Sequence, residues 1–492
     1  MPDYDVIVVG AGNAALAASV SAREHGAERV LALEKAPLEM RGGNTYWSGG
    51  LLRIVFNAPR ELERLIPDAA DRVPGFFEHV EPYTADDFWA DFRRVTEDRT
   101  DRELASILIA NSYDTICWMH DHAGIPMEPA VSLAAIRVGD TVKWQKGAIV
   151  RAAHEGVGLS QSWFAAVEKQ GVEIRYGSGA TDLMLDGRGR VVGVKVRGPD
   201  GTADITAKAV VLGCGGFEGN AQWRAQYLGA PWDHAKVRGT AYNQGDGLRM
   251  ALAIGALPWG QWSGCHATPI SNEWPAFADR ERTDKSNRLS YPYGVMLNRR
   301  GLRFVDEGED VGLYTYAKYG GAILRQPGSL AWQIFDQKTV HLLEPRYKTS
   351  QPLAGDTLEE LVRRLDLDDR PQALRTLQEF NAAACDPDHF DPSTKDGLAT
   401  RGLSPNKSNW ALRLDTPPFV AYSATGGITF SFGGLKIDPN AQVIGTDWRP
   451  IPGLFTCGEM VGGLFHFNYP GGTGLVSGAV FGRIAGRSAA QA

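Results

Sequence analysis

Val6-Ile-Val-Val-Gly10-Ala-Gly12-Asn-Ala-Ala15 decides how the chain is read. Four consecutive apolar, β-branched residues suit a strand buried on both faces. Glycines follow at once. Leu16 to about His25 then reads as a helix and Val30-Leu-Ala-Leu-Glu34 as a second strand. Gly10 allows the tight turn, Gly12 lets a pyrophosphate approach the backbone, and Ala15 keeps the helix close to the sheet. The helix N-terminus then offers free N–H groups and a positive dipole to phosphates. Alone, such a turn occurs in many α/β domains. Glu34, about 20 residues on, stands where an acid takes ribose hydroxyls, and the set together predicts a bound dinucleotide.

Further glycine clusters choose between dinucleotides. Arg41-Gly-Gly-Asn-Thr45 and Ser48-Gly-Gly50 follow the second strand. Near the C-terminus come Ile451-Pro-Gly-Leu-Phe-Thr-Cys-Gly-Glu459 and Pro470-Gly-Gly-Thr-Gly-Leu475, the latter opening a helix. A long cofactor, with its flavin far from its adenine, needs several backbone-close passages from remote segments. NAD would need neither a second acid, Glu459, nor a second helix N-terminus. The reading is therefore FAD, with the late helix pointing its dipole at the flavin edge that gathers negative charge on reduction. Expected cofactor contacts are Gly10, Gly12, Asn13, Ala14, Ala15, Glu34, Lys35, Arg41, Gly42, Gly43, Asn44, Thr45, Ser48, Gly49 and Gly50. Ala180, Gly213, Gly215, Gly216, Asp246, Gly458, Glu459, Gly472, Thr473, Gly474 and Leu475 complete the set.

Working outward, residues 60–125 look helical and charged. Residues 172–197 alternate around Gly187-Arg-Gly189 like a hairpin, and Ala209-Val-Val-Leu212 is another buried strand ending in glycines. From about 261 to 410 the glycine motifs thin out, and they return at Thr425. This predicts one domain, 1–260 and 411–492, interrupted by a second, 261–410. The 492 residues carry 43% hydrophobic and 22% charged side chains, as a globular protein with a large core does. A net charge of −7 argues against a nucleic-acid partner. The five cysteines include no CxxC pair, which leaves neither structural zinc nor an iron–sulfur cluster supported. Without a leader pattern or a long apolar run, a cytoplasmic location is expected.

The chain also resembles the fumarate reductase/succinate dehydrogenase flavoprotein superfamily over nearly its whole length. The matching residues include Gly213-Cys-Gly-Gly-Phe217 with Asn220, Gly245-Asp-Gly247, Asn298-Arg-Arg-Gly-Leu-Arg-Phe304 and Gly433-Gly-Leu-Lys-Ile-Asp438. A finer likeness, to FAD-dependent tricarballylate dehydrogenases and their precorrin-oxidising relatives, rests on Arg41 to Thr45, Ser408-Asn-Trp-Ala411, Gly427-Ile-Thr-Phe-Ser-Phe-Gly-Gly434 and Phe467 to Leu475. The resemblance implies an α/β fold: a Rossmann-like FAD-binding domain of the glutathione-reductase type with an inserted α+β capping domain. It also departs from the family. Thr429 and Phe430 stand where fumarate reductases carry a His pair, Tyr469 stands for their substrate-clamping Arg, and Val311 for their proton-delivering Arg. Fumarate and succinate are therefore poor candidates.

Four residues are candidates for catalysis. Tyr469-Pro-Gly-Gly resembles the segment of ketosteroid 1-dehydrogenases whose Tyr helps enolise the substrate; a packing role weighs equally. His266 resembles a substrate-binding His of the superfamily, and Arg303 a carboxylate clamp in the inserted domain; Arg53, Arg238 and Arg288 stand behind Arg303. Tyr291 could act as a base. The implied reaction is dehydrogenation of a C–C bond next to a carboxylate, tricarballylate to cis-aconitate above others, with hydride passing to flavin N5 as the cap closes over the substrate. An arginine-poor, apolar cavity would favour a ketosteroid-type or macrocycle-oxidising enzyme instead, and a sealed flavin a non-catalytic redox carrier. FAD is expected to be non-covalent, since Gly42-Gly-Asn-Thr-Tyr46 holds no linking His. No second dinucleotide fingerprint occurs, so electrons are expected to leave to a separate acceptor; the resemblance implies a membrane-associated iron–sulfur or haem partner, or a quinone.

Overall fold

The computed structural model describes residues 2–139, 141–385 and 387–492. Tyr4–Val9 is the centre of a parallel sheet, with Val30–Leu33 and then Glu173–Arg175 on one side and Gly201–Leu212 and then Pro450–Thr456 on the other. Val6, Ile7, Val8 and Leu31 are fully buried, as strands covered on both faces require. The expected hairpin exists: Gly179–Leu185 pairs with Val191–Gly198, which pairs on with Gly201–Leu212.

Two helices from opposite ends of the chain cover this sheet side by side, Asn13–Glu24 and Thr473–Ala490. Small residues let them touch. A Cβ at Gly482 would fall 2.4 Å from the Ala14 carbonyl oxygen, and one at Gly486 2.1 Å from that of Ala18. The Asn13 amide locks the pair by donating to the Leu475 carbonyl at 2.8 Å. Glycines within the last helix thus serve close packing, and this packing brings two helix N-termini to one place.

A second sheet is built on Phe419–Leu435, paired antiparallel with Pro258–Ser271 on one side and with Ala331–Phe335, then Val295–Asn298, on the other. Lys236–Val237 also joins it. The expected return to the first domain at 411 thus precedes the longest strand of the second sheet. The glycine texture from Thr425 misled here because these glycines serve the sheet: a Cβ at Gly426 would lie 2.4 Å from the Gly320 carbonyl oxygen, and one at Gly434 2.4 Å from that of Met460. Helix Tyr316–Leu324 lies directly on this sheet, Gly320 against the backbone of Ala267 and Thr268, which sets Tyr316 beside His266. Among the described residues, no helix is long and apolar enough to cross a membrane.

Candidate active site

A long cavity runs from the first sheet to the second. At one end Glu34 is 6% exposed, and burial pushes its carboxyl up to about 7 against the pull of nearby backbone N–H groups. One of its oxygens accepts the Ala36 N–H at 2.8 Å. Lys35 and Ala180 line the same end, and Lys35 Nζ pairs with Asp246 at 2.6 Å. Gly10, Gly12, Asn13 and Ala14 form the floor where the first helix begins. The residue before that helix, Gly12, has no side chain to cap it; Thr45 takes the Asn13 N–H, and the N–H groups of Ala14 and Ala15 stay available to an anion.

The middle of the cavity is polar. Gly43, Asn44, Thr45, Ser48 and Gly49 line it, with Gly213, Gly215, Gly458 and Glu459 opposite. Thr45 Oγ1 accepts the Asn13 N–H at 2.9 Å. Asn44 Nδ2 donates to Glu218 at 2.6 Å and to the Thr429 carbonyl at 2.6 Å, joining the two sheets. Glu459 accepts the Ser431 N–H at 2.7 Å. Burial and the neighbouring Glu459 hold the Glu218 carboxyl well above its ordinary range. Gly472, Gly474 and Leu475 stand at the start of the C-terminal helix, where Gly472 likewise has no side chain to cap it.

Six expected cofactor residues stand behind this wall. Ala15 packs under Gly213, which is its spacing role. Arg41 lies over the Phe164 ring at 4.0 Å and bonds the Tyr176 hydroxyl at 2.9 Å. Gly42 abuts Ser160, Gly50 the backbone of Glu155, and Gly216 the Glu459 carboxylate. Thr473 Oγ1 donates to the Pro470 carbonyl at 2.6 Å. These six shape the cavity from outside.

The far end, under the second sheet, is aromatic. Tyr469, Tyr316, His266, Phe430 and Phe465 meet there, the His266 ring stacked on Phe430 with centroids 5.1 Å apart and edge-on to Tyr469 at 4.9 Å. The Tyr469 and Tyr316 hydroxyls are hydrogen-bonded to each other. Burial raises both phenols, outweighing the lowering influence of Arg238 and Arg53. Burial, with Arg238, holds His266 well below its ordinary value, so it is neutral, and neither ring nitrogen has a protein partner.

Two expected catalytic residues lie elsewhere. Arg303 is buried away from the cavity, bound to Glu307 through both Nε and Nη2 and to the Pro405 carbonyl at 2.7 Å. This arginine makes a buried ion pair within its own segment, and the carboxylate-clamp expectation is corrected. Tyr291 is fully buried, its hydroxyl on Thr315 at 2.6 Å, and is core. Arg53 binds the Gly471 carbonyl, Tyr83 and Asp91, which fixes the turn before the C-terminal helix. Arg288 binds the Asn287 and Arg346 carbonyls. Arg238 alone of the named arginines lines the cavity. Its neighbours there, Asp284 and Arg346, sit in segments without any motif, and Tyr316 reads as an ordinary helix residue; the sequence offered no signal for these three.

The model of the FAD binding domain family matches residues 5–476. Across 99% of the chain, 29% of residues are identical to the probable fumarate reductase Ifc3 of Shewanella frigidimarina, of which 74% is covered. Identity to the 3-oxosteroid 1-dehydrogenase of Mycobacterium tuberculosis is 26% over 98% of the chain and 97% of that protein. The solved open conformation of a flavocytochrome c3 fumarate reductase superposes with a TM-score of 0.72 at 27% identity, covering all of this chain and 79% of that one.

Proposed function

The chain belongs to the fumarate reductase/succinate dehydrogenase flavoprotein superfamily as an FAD-dependent oxidoreductase of CH–CH groups, and on that premise we propose that it dehydrogenates a C–C bond next to a carbonyl group in a substrate carrying at most one negative charge. The far end of the cavity carries this reading. Its walls are aromatic, and its two cations, Arg238 and Arg346, already share Asp284. Arg346 is further paired with Glu344 at 2.9 Å. Burying a carboxylate without a counter-charge is very costly. A tricarboxylate such as tricarballylate brings three charges to a wall with no unpaired cation group, and the site supports it least of the candidates. Arg238 lines the cavity, and its guanidinium, shared with Asp284, is left to face at most one carboxylate.

The cavity fits FAD. Glu34 stands for the ribose, the N-terminus of the first helix for the pyrophosphate, and Glu459 and the N-terminus of the last helix for the remainder. Without a His in the turn at Gly43–Trp47, attachment is non-covalent. When bound, FAD supplies the two-electron acceptor that takes a hydride from one carbon. The chain's own residues handle the other carbon. Its C–H becomes acidic only when negative charge on the adjacent carbonyl oxygen is stabilised. Both phenols stay protonated because burial raises them; with Tyr316 donating to the Tyr469 hydroxyl, the Tyr469 O–H is left to donate to that oxygen. This favours the donor role of Tyr469 over a phenolate base. Asp284 has both carboxylate oxygens engaged by arginines. His266, neutral, lining the cavity and with two buried ring nitrogens that have no protein partner, is the group assigned to receive the proton. Electrons then pass to a separate acceptor.

The carbonyl belongs to a monocarboxylate or to a ketone, and the Tyr469–Tyr316 pair itself favours the ketone. Anaerobic mixing of the holoenzyme with saturated monocarboxylates, 3-ketosteroids, succinate and tricarballylate tests both. Flavin bleaching by a monoanion or a ketone supports the proposal; bleaching by tricarballylate alone refutes it.

A further inference from the structure

We propose that Asp284 determines specificity: its carboxylate occupies a two-arginine site that would otherwise receive a carboxylate of the substrate. The inference rests on the far end being the substrate pocket, as above. Asp284 is 1% exposed yet lines the cavity. Each of its carboxylate oxygens faces a different guanidinium, Oδ1 on Arg238 and Oδ2 on Arg346. Asn287 Nδ2 adds a third donor to Oδ1 at 3.2 Å. Arg346 is anchored behind by the Asp284 carbonyl at 2.7 Å and by Glu344.

Two arginines and an amide converging on one carboxylate make a receptor for a carboxylate group. Here the protein's own side chain fills it. An incoming di- or tricarboxylate must either displace Asp284 from charge-assisted bonds or stay unpaired in a buried site. Either cost rejects it, and selectivity built on rejection needs no extra contact to the true substrate. The aromatic surface beside this cluster remains for an uncharged body. Removing the aspartate charge leaves the same donors in place with one positive charge uncompensated, so the site becomes a receptor for the substrate classes it now excludes.

The test uses FAD-loaded Asp284→Asn and Asp284→Ala, titrated with tricarballylate and succinate while the flavin absorbance is followed. Both variants should bind tricarballylate roughly tenfold or more tighter than the wild type, which should give little saturable change. The gain should vanish in Asp284→Ala/Arg346→Ala. Should Asp284→Ala be too unstable for titration, acetate but not chloride should raise its thermal midpoint saturably, because acetate replaces the missing carboxylate. Wild-type enzyme that binds tricarballylate as tightly as the variants would overturn the proposal. So would folded, FAD-loaded variants with no gain, or an unstable Asp284→Ala that acetate does not rescue. Reduction of the wild type by monocarboxylates and ketones reads the proposed reaction separately, so the two failures are distinguishable.

Discussion

Glu34 ties cofactor affinity to pH in a way that can be worked through. Its carboxyl is 6% exposed and titrates at about 7 in the ligand-free protein, because burial disfavours its charge. Ribose hydroxyls donating to it stabilise the ionised form, so FAD binding expels a proton wherever the carboxyl is still protonated. If only the ionised form binds, affinity is nearly full at pH 8 and about tenfold weaker at pH 6. The sign for the apoprotein is opposite. A carboxyl raised from 4.5 to about 7 adds stability that is fully present below pH 4.5 and is lost as pH rises through 7, on the order of 3 kcal/mol in all. Glu34→Gln removes the titration and the charge-assisted bonds, each worth about 1.5–3 kcal/mol. Its affinity should fall at least about tenfold at pH 8 and be flat from pH 6 to 8. Fluorescence titration of FAD into apoprotein measures this. Equal pH slopes in wild type and Glu34→Gln, or a flat wild type, would refute the assignment.

Acid precipitation should release the flavin into the supernatant, and yellow colour in the pellet would mean a covalent link. Arg303→Ala should leave substrate affinity unchanged in folded enzyme but lower stability by about 3–5 kcal/mol, because the buried Glu307 loses its arginine and keeps only the Met296 N–H as a hydrogen-bond donor; thermal unfolding beside a substrate titration separates the two. Reduced enzyme should be reoxidised quickly by dyes or quinones, and efficient steady-state turnover with NADP would show a pyridine-nucleotide site that the account lacks.

The cofactor half was legible because its physics is local. A strand, a tight turn, a helix N-terminus and an acid at fixed spacing each have a sequence signature, and Gly10, Gly12, Asn13 and Glu34 all face the cavity. Glycines proved ambiguous. Those at Gly426, Gly434, Gly482 and Gly486 permit close packing of sheet and helix, and a sequence cannot distinguish that from room for a phosphate. The catalytic half was legible only where a motif extended into it. Tyr469 and His266 do meet, although 203 residues of chain separate them. Arg303, Tyr291, Arg53 and Arg288 face partners that only folding supplies. Asp284, Arg346 and Tyr316 come from three unremarkable segments, and their joint meaning is a property of the tertiary arrangement.

The Tyr469–Tyr316 pair is where the central claim is most exposed. With a substrate that bleaches the wild-type flavin, single-turnover anaerobic reduction should be compared for wild type, Tyr469→Phe and Tyr316→Phe. Loss of a hydrogen bond to the developing oxyanion predicts reduction slower by about 10²-fold in Tyr469→Phe, with FAD content and substrate affinity nearly unchanged. A Tyr469→Phe enzyme reduced at the wild-type rate would contradict the account and leave the pair as packing.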